Sequence, residues 1–96
     1  MNNDQFHRIS KALADPRRLE ILERIAATDE VACAELVSEF PVTQATMSHH
    51  LKELANAGLI KARRQAKFCF YQPQRKVWAA YLASLQKRIP ARGGKR

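Results

Sequence analysis

The sequence predicts a mainly α-helical fold with one small β-hairpin, made of about five helices and two to three short strands. Through most of the chain, apolar residues recur every three to four positions, which is the period of a helix with one buried face. After Gly58 the period changes, and residues 59–64 and 67–72 carry some of the β-branched and aromatic side chains typical of strands. A chain of 96 residues suffices for one core, so we expect a single domain over residues 1–89.

Two helices are predicted at the start of the chain. The first covers residues 4–14. The second covers residues 16–26, because Asp15 is a favourable N-cap and Pro16 is a favourable first helical residue. The apolar spacing predicts these inward side chains: Phe6, Ile9, Ala12 and Leu13 in the first helix, and Leu19, Leu22, Ile25 and Ala26 in the second.

A helix, a short break and another helix follow in the middle of the chain. Val31-Ala32 is a candidate short strand, and a third helix is predicted to end near Phe40, before Pro41. The fourth helix begins at the N-cap Thr43 and ends at Gly58, which suits the left-handed residue that closes a helix. Its predicted inward residues are Met47, Leu51, Leu54 and Ala55. This layout is typical of a helix-turn-helix motif.

The outward face of the fourth helix is uncharged before Lys52. It carries Ala45, Thr46, His49, Lys52, Glu53 and Asn56, with Gln44 and Ser48 nearer the flank. A solvated face would normally carry Glu and Lys, whereas amide, hydroxyl and imidazole groups beside small residues suit the base edges of a DNA major groove. The alternative is an ordinary amphipathic helix with a polar first turn.

Basic residues cluster on the predicted hairpin, at Lys61, Arg63, Arg64 and Lys67. A basic hairpin beside a polar helix predicts a winged helix-turn-helix, in which the helix reads bases and the hairpin, or wing, contacts phosphates. The alternative is a charged hairpin that protects an edge strand from aggregation. Gln65-Ala66 is the predicted tip, and we expect a loose turn there because the pair lacks the Asn-Gly signal.

A wide apolar stripe marks the last predicted helix, over residues 74–89. The stripe spans about 140° of the helix and consists of Val77, Trp78, Tyr81, Leu82, Leu85 and Ile89. Such a stripe can cover its own domain and also pack against a second copy of the chain. From Pro90 the sequence is basic and rich in glycine, so residues 90–96 are predicted to be a disordered tail.

Charge and cysteine content limit the classes of partner and location. The chain has 17 Lys and Arg against 9 Asp and Glu, a formal net charge of +8, which favours nucleic acid first and an acidic membrane surface second. The N-terminus lacks a signal-peptide layout, and no run is long and apolar enough to span a membrane. Two cysteines are too few for a secreted disulfide scaffold, so we expect a cytoplasmic protein with no membrane partner.

Three stretches of the chain resemble the ArsR/SmtB family of small dimeric winged-helix transcriptional repressors. They are residues 11–22 (KALADPRRLEIL), residues 43–54 (TQATMSHHLKEL), and residues 57–60 followed by Arg63-Arg64 and the aromatic strand at residues 68–71. The resemblance covers about residues 5–89, nearly the whole chain.

The resemblance implies a homodimer that represses transcription by occluding a promoter, with an effector that lowers its affinity for DNA. It implies that Thr43, Gln44, Thr46, Ser48 and His49 face the operator, and the polar helix and basic hairpin add Ala45, Lys52, Arg63, Arg64 and Lys67 as contacts to double-stranded DNA. It also implies a dimer through the first and last helices, with these interface residues: Phe6, Ile9, Leu13, Val77, Trp78, Tyr81, Leu82 and Leu85.

The chain departs from the family pattern at both of the usual metal sites. Metal-sensing members often carry two closely spaced cysteines at the start of the third helix, where this chain has Ala32-Cys33-Ala34. A second site uses Asp, His and Glu on the last helix, but residues 74–89 contain none of these and no Cys. We therefore predict neither a metal site nor another cofactor, and the effector is left unassigned.

The sequence leaves two alternatives to a DNA-binding repressor, an enzyme and a protein-binding module. Catalysis is not expected, because no carboxylate is evidently placed to orient a histidine beside Ser48 or a cysteine, and no glycine-rich elbow presents a nucleophile. The other is a winged-helix module that binds a protein partner, without specific affinity for DNA and with an incidental positive charge.

The cysteines Cys33 and Cys69 are expected in one neighbourhood. The short strand near Val31-Ala32 should pair with the second strand of the hairpin, which contains Cys69. If the Cα atoms lie within about 7 Å, a disulfide could form and alter the affinity for DNA, as a redox switch. The alternative is that both thiols simply pack as small hydrophobic side chains.

Overall fold

The chain folds into five α-helices and a three-stranded antiparallel sheet in a computed structural model that describes residues 1–92. In chain order the elements are α1 (Asn3–Leu13), α2 (Pro16–Ala26), β1 (Val31–Ala32), α3 (Cys33–Glu39), α4 (Gln44–Asn56), β2 (Ile60–Gln65), β3 (Phe68–Pro73) and α5 (Arg75–Arg88). This confirms the predicted fold class. Residues 93–96 of the predicted tail lie outside the described residues.

Side-chain caps start three of the helices. Asn2, Asp15 and Thr43 each accept a hydrogen bond from the backbone N–H three residues later, at 2.8, 3.0 and 3.1 Å. These bonds satisfy amides that have no partner within the helix. The predicted starts of α2 and α4 therefore follow from the sequence, whereas α1 begins one residue earlier than predicted because Asn2 is its cap.

The sheet has the strand order β1-β3-β2, so the wing hairpin of β2 and β3 is joined to the body through β1. Gln65 pairs with Phe68, which leaves Ala66-Lys67 as a two-residue tip. The prediction of a loose turn at Gln65-Ala66 is therefore wrong. The turn is tight because Ala66 adopts a φ of +55°, which Gly or Asn adopts more readily.

The core lies between the helices and one side of the sheet. Its fully buried side chains are Ile9, Ile21, Ile25, Leu36, Met47, Leu51, Leu54 and Leu59. The prediction for α2 was wrong in part: Ile21 is buried, while Leu19 and Ala26 are exposed, because α2 turns Ile21, Leu22 and Ile25 inward. On α4, Ala55 is only half-buried and His50 is buried instead.

One side of α5 packs onto its own domain. The Tyr81 ring lies 5.2 Å from the Phe6 ring, centroid to centroid, and its hydroxyl is 2.9 Å from Ser10 Oγ. The Arg75 guanidinium donates to the carbonyl oxygens of Ala26 and Thr28, where α2 ends and a cation is favoured. Within residues 1–92, each helix is too short or too polar to cross a bilayer.

Candidate nucleic-acid interface

The outer face of α4 presents small and polar side chains to solvent. Gln44, Ala45, Thr46, Ser48, His49 and Lys52 are all exposed. Thr43 organises the first turn, because its Oγ1 accepts from the Thr46 amide and its hydroxyl donates to Thr46 Oγ1 at 3.0 Å. The structure therefore brings the predicted residues of this helix onto one accessible surface that carries no charge before Lys52.

The opposite face of α4 fixes the helix in the core. Met47, Leu51 and Leu54 are at most 1% exposed. His50 is also buried, and Arg18 Nε donates to its Nδ1 at 3.4 Å. Burial lowers the pKa of His50, while the nearby Asp15 carboxylate acts in the opposite direction. This imidazole is therefore a packed, hydrogen-bonded side chain on the buried side of α4.

The wing turns two different faces outward because strand side chains alternate. Arg64 and Cys69 form a cross-strand pair on one face, and they line a groove together with Gln44 and Ser48 of α4. Lys67 at the wing tip lines the same groove. The structure thus places two wing cations beside the first turns of α4, as expected for a surface that contacts both bases and phosphates.

Arg63 belongs to the other face of the wing, where an ion pair competes with its predicted contact to phosphate. Its guanidinium donates to both carboxylate oxygens of Glu30, at 2.8 and 2.7 Å, and Gln72 Nε2 donates to the same carboxylate at 2.8 Å. The hydrogen bonds from Arg63 hold the pKa of Glu30 below its usual range. Arg63 also stacks 4.6 Å above the Phe70 ring. It therefore joins the wing to the loop before β1.

A second basic cluster escaped the prediction. His7, Arg8 and Lys11 of α1 and Arg18 of α2 line a polar groove against α4, together with the acidic Asp4 and Glu53. The four basic residues come from two helices that are distant in sequence from α4, so spacing within one element could not reveal the cluster. The sequence contains one indication of this cluster: Arg18 lies in the first turn of α2, where the helix dipole disfavours a cation.

The predicted dimer residues divide into two groups. Phe6, Ile9 and Tyr81 are at most 7% exposed in the single chain, so they offer no surface to a partner. Leu13, Val77 and Leu85 are half-buried against the same core. By contrast, Trp78 is 38% and Leu82 46% exposed. Trp78, Leu82 and Ile89 thus form an exposed apolar surface on the outer side of α5, and Leu19 of α2 is exposed as well, while Met1 and Phe68 are exposed elsewhere.

The chain is similar in sequence to known helix-turn-helix proteins. A family model described as a helix-turn-helix domain matches residues 13–63. An uncharacterized HTH-type transcriptional regulator of Methanocaldococcus jannaschii is 40% identical over 63 residues, which are 66% of this chain and 71% of that protein. The arsenical resistance operon repressor of Staphylococcus xylosus is 36% identical over 72 residues, covering 75% of this chain and 68% of that protein.

A solved structure of similar fold supports the same family. The homodimeric winged helix-turn-helix DNA-binding domain from Mycobacterium bovis, described as a possible ArsR-family transcriptional regulator, superposes with a TM-score of 0.73 at 28% identity. The match covers 97% of this chain and 87% of that one. Sequence relatives and fold thus agree, and the chain belongs to the ArsR/SmtB family of winged helix-turn-helix transcriptional regulators.

Proposed function

We propose that the protein is a sequence-specific DNA-binding repressor that acts as a homodimer on an inverted-repeat operator. One observation carries the proposal: the uncharged, exposed face of α4 lies directly beside the wing cations Arg64 and Lys67. The helix would read base edges while the wing holds phosphates. The repressor function and the homodimer are supported by the Staphylococcus xylosus repressor and the Mycobacterium bovis homodimer, respectively.

The proposed contacts divide by chemistry. The side chains suited to base edges are Thr43, Gln44, Ala45, Thr46, Ser48 and His49, and those suited to phosphates are Lys52, Arg64 and Lys67. Arg63 is left out because Glu30 already engages its guanidinium. We expect Gln44→Ala to relax base preference, at a cost of about 1–3 kcal/mol for the correct sequence. Ser38→Ala, at an exposed polar position on α3, is the control and should bind like the wild type.

Dimerisation would supply the second half of the operator contact. We propose that the outer side of α5, through Trp78, Leu82 and Ile89, packs against the partner, with Leu19 of α2 alongside. Two copies of α4 would then enter successive major grooves about 34–36 Å apart. The sequence at the usual metal positions, Ala32-Cys33-Ala34 and an α5 without Asp, Glu, His or Cys, favours release by a different signal.

Selection from a random-sequence duplex library tests this proposal. The reduced protein should enrich an inverted repeat, and its affinity should fall steeply as salt rises, because several phosphate contacts release counterions. Footprinting of the protein's own promoter region should then show the same repeat. If no sequence were enriched and duplex affinity were absent at low salt, the chain would instead be a winged-helix module for a protein partner.

A further inference from the structure

Cys33 and Cys69 occupy opposed positions one step beyond the last pair of the β1–β3 ladder. The antiparallel register pairs Val31 with Tyr71 and Ala32 with Phe70, so the next residues along the two segments are Cys33 and Cys69. Opposed residues in such a ladder have Cα atoms about 4.5–5.5 Å apart, and Cys33 follows directly on the last such pair as the first residue of α3. A disulfide requires a Cα separation of about 4.4–6.8 Å, so this register brings the pair within reach of a covalent bond.

The two thiols also share one accessible groove. Both are free and partly exposed, although Cys33 already belongs to the first turn of α3. They line the groove between α4 and the wing, together with Gln44, Ser48 and Arg64. Chemistry at this pair would therefore take place between the proposed base-reading and phosphate-binding side chains.

We propose that Cys33 and Cys69 form a modification site at which a hydroperoxide produces an intramolecular disulfide that lowers the affinity of the protein for DNA. The inference rests on the proposed function and assigns the signal that the function requires. It uses two cysteines on neighbouring elements of one chain, so it needs neither a metal ion nor a second protomer.

The reaction is balanced by one hydroperoxide. The Cys69 thiolate attacks the distal peroxide oxygen, the O–O bond breaks, an alcohol or water leaves, and a sulfenic acid forms. The Cys33 sulfur then attacks the Cys69 sulfur, the S–O bond breaks, and hydroxide leaves with the Cys33 proton as water. The two thiols lose two electrons and two protons in total, and the peroxide gains them.

The surroundings of Cys33 suit it to the second step. Burial, and then the neighbouring Cys69, raise the pKa of Cys33 by more than the Arg64 guanidinium lowers it, which makes this thiol a poorer first nucleophile. Cys69 lies opposite Arg64 in the β2–β3 register and lines the same open groove, where a peroxide can reach its sulfur. Cys69 therefore reacts first with the peroxide, and Cys33 resolves the sulfenic acid.

The disulfide acts on DNA binding through the wing. β1 contributes only two residues to the ladder with β3, and the Arg63–Glu30 ion pair adds a further link between the wing and the body. Because the two backbones already lie within disulfide range, the bond shifts them little and instead ties the start of β3 to α3. The wing then loses the freedom to adjust Lys67 and Arg64 to the phosphates, and duplex affinity falls.

The test compares reduced protein with protein treated with a stoichiometric amount of hydrogen peroxide. Mass spectrometry should show the loss of two hydrogen atoms and a peptide joining Cys33 to Cys69. Fluorescence anisotropy, with a duplex selected by the reduced wild type, should show affinity reduced about tenfold and restored by dithiothreitol. Cys33→Ser and Cys69→Ser are the matched controls, and neither should lose affinity on treatment.

The outcomes separate this inference from the proposed function. Thiols that remain free after treatment, or a disulfide that leaves affinity unchanged, would overturn the switch while leaving the repressor function intact. Failure of the reduced protein to select any duplex would count against the function itself. Because the disulfide is detected without DNA and in the wild-type chain, the result does not depend on whether a cysteine variant folds.

Discussion

At the level of single residues, the adjacent arginines of β2 have opposite roles because they point to opposite faces of the wing. Arg63 is engaged by Glu30, whereas Arg64 is exposed on the side of α4. Strand alternation in the sequence could predict the two faces. The partner of Arg63 could not be predicted, because Glu30 lies in a loop 33 positions away and only the β1–β3 pairing brings it to the wing.

The two arginines should therefore respond differently to the same substitution. Arg64→Ala should weaken binding to all duplexes alike and reduce the salt slope by about one, as loss of one phosphate contact predicts. Arg63→Ala should leave that slope unchanged and lower the free energy of unfolding by about 1 kcal/mol or less, since the ion pair is partly exposed. Salt-dependent anisotropy and urea unfolding measure both effects. Equal salt slopes for the two variants would contradict the assignment.

The buried His50 should make folding sensitive to mild acid. Burial lowers its pKa below the ordinary value of about 6.5, with Asp15 opposing the shift and Arg18 adding to it. Between the lowered pKa and about 6.5, the unfolded chain binds more protons at this residue than the folded chain does. The free energy of unfolding should therefore decrease as pH falls through that window.

This prediction is measured by urea unfolding at a series of pH values between about 5 and 8. His50→Gln cannot take up the proton, so it should show a shallower dependence on pH than the wild type. His49→Gln, on the exposed side of the same helix, is the matched control. An identical pH dependence in His50→Gln and the wild type would show that this imidazole does not couple protonation to folding.

At the level of elements, local chemistry predicted where helices begin and end better than it predicted the turn. Asp15, Thr43 and Gly58 each determine a boundary through their own side chain or backbone, so the sequence sufficed. The wing tip contains no residue that demands a particular turn. Its position is set by the pairing of β2 with β3, and Ala66 accepts a positive φ as a result.

Among these boundary residues, Gly58 should be the one where an altered side chain lowers the free energy of unfolding most. Its φ is +84°, and an added Cβ would lie 2.7 Å from Gln5 Nε2, which donates to the carbonyl oxygen of Ala57. Gly58→Ala should lower the free energy of unfolding by about 1–2 kcal/mol because of the left-handed backbone. Gly58→Asn should cost less, since Asn tolerates this conformation better. Equal losses in urea unfolding would assign the cost to the contact with Gln5.

At the level of the whole molecule, the wide apolar stripe of α5 serves two purposes that a sequence cannot separate. Periodicity identifies which side chains avoid water, but it does not say whether the chain's own core or another copy covers them. Tyr81 is covered by Phe6 and Ser10, whereas Leu82, the next residue, is 46% exposed. Only the packing of α5 against α1 shows that Tyr81 belongs to the chain's own core and that Leu82 remains exposed.

The exposed half of the stripe should control dimerisation. Leu82→Asp removes a side chain whose burial in the proposed interface would contribute about 1.5–3 kcal/mol, and a twofold interface contains it twice. The dimer dissociation constant should therefore rise at least about a hundredfold, since each 1.4 kcal/mol is a factor of ten.

Ala83→Asp is the matched control: it introduces the same charge at an exposed position about 100° further round the helix. Sedimentation at micromolar protein should give a monomer for Leu82→Asp and a dimer for Ala83→Asp. A dimeric Leu82→Asp variant would exclude this face as the interface, and a monomeric wild type would refute the proposed homodimer.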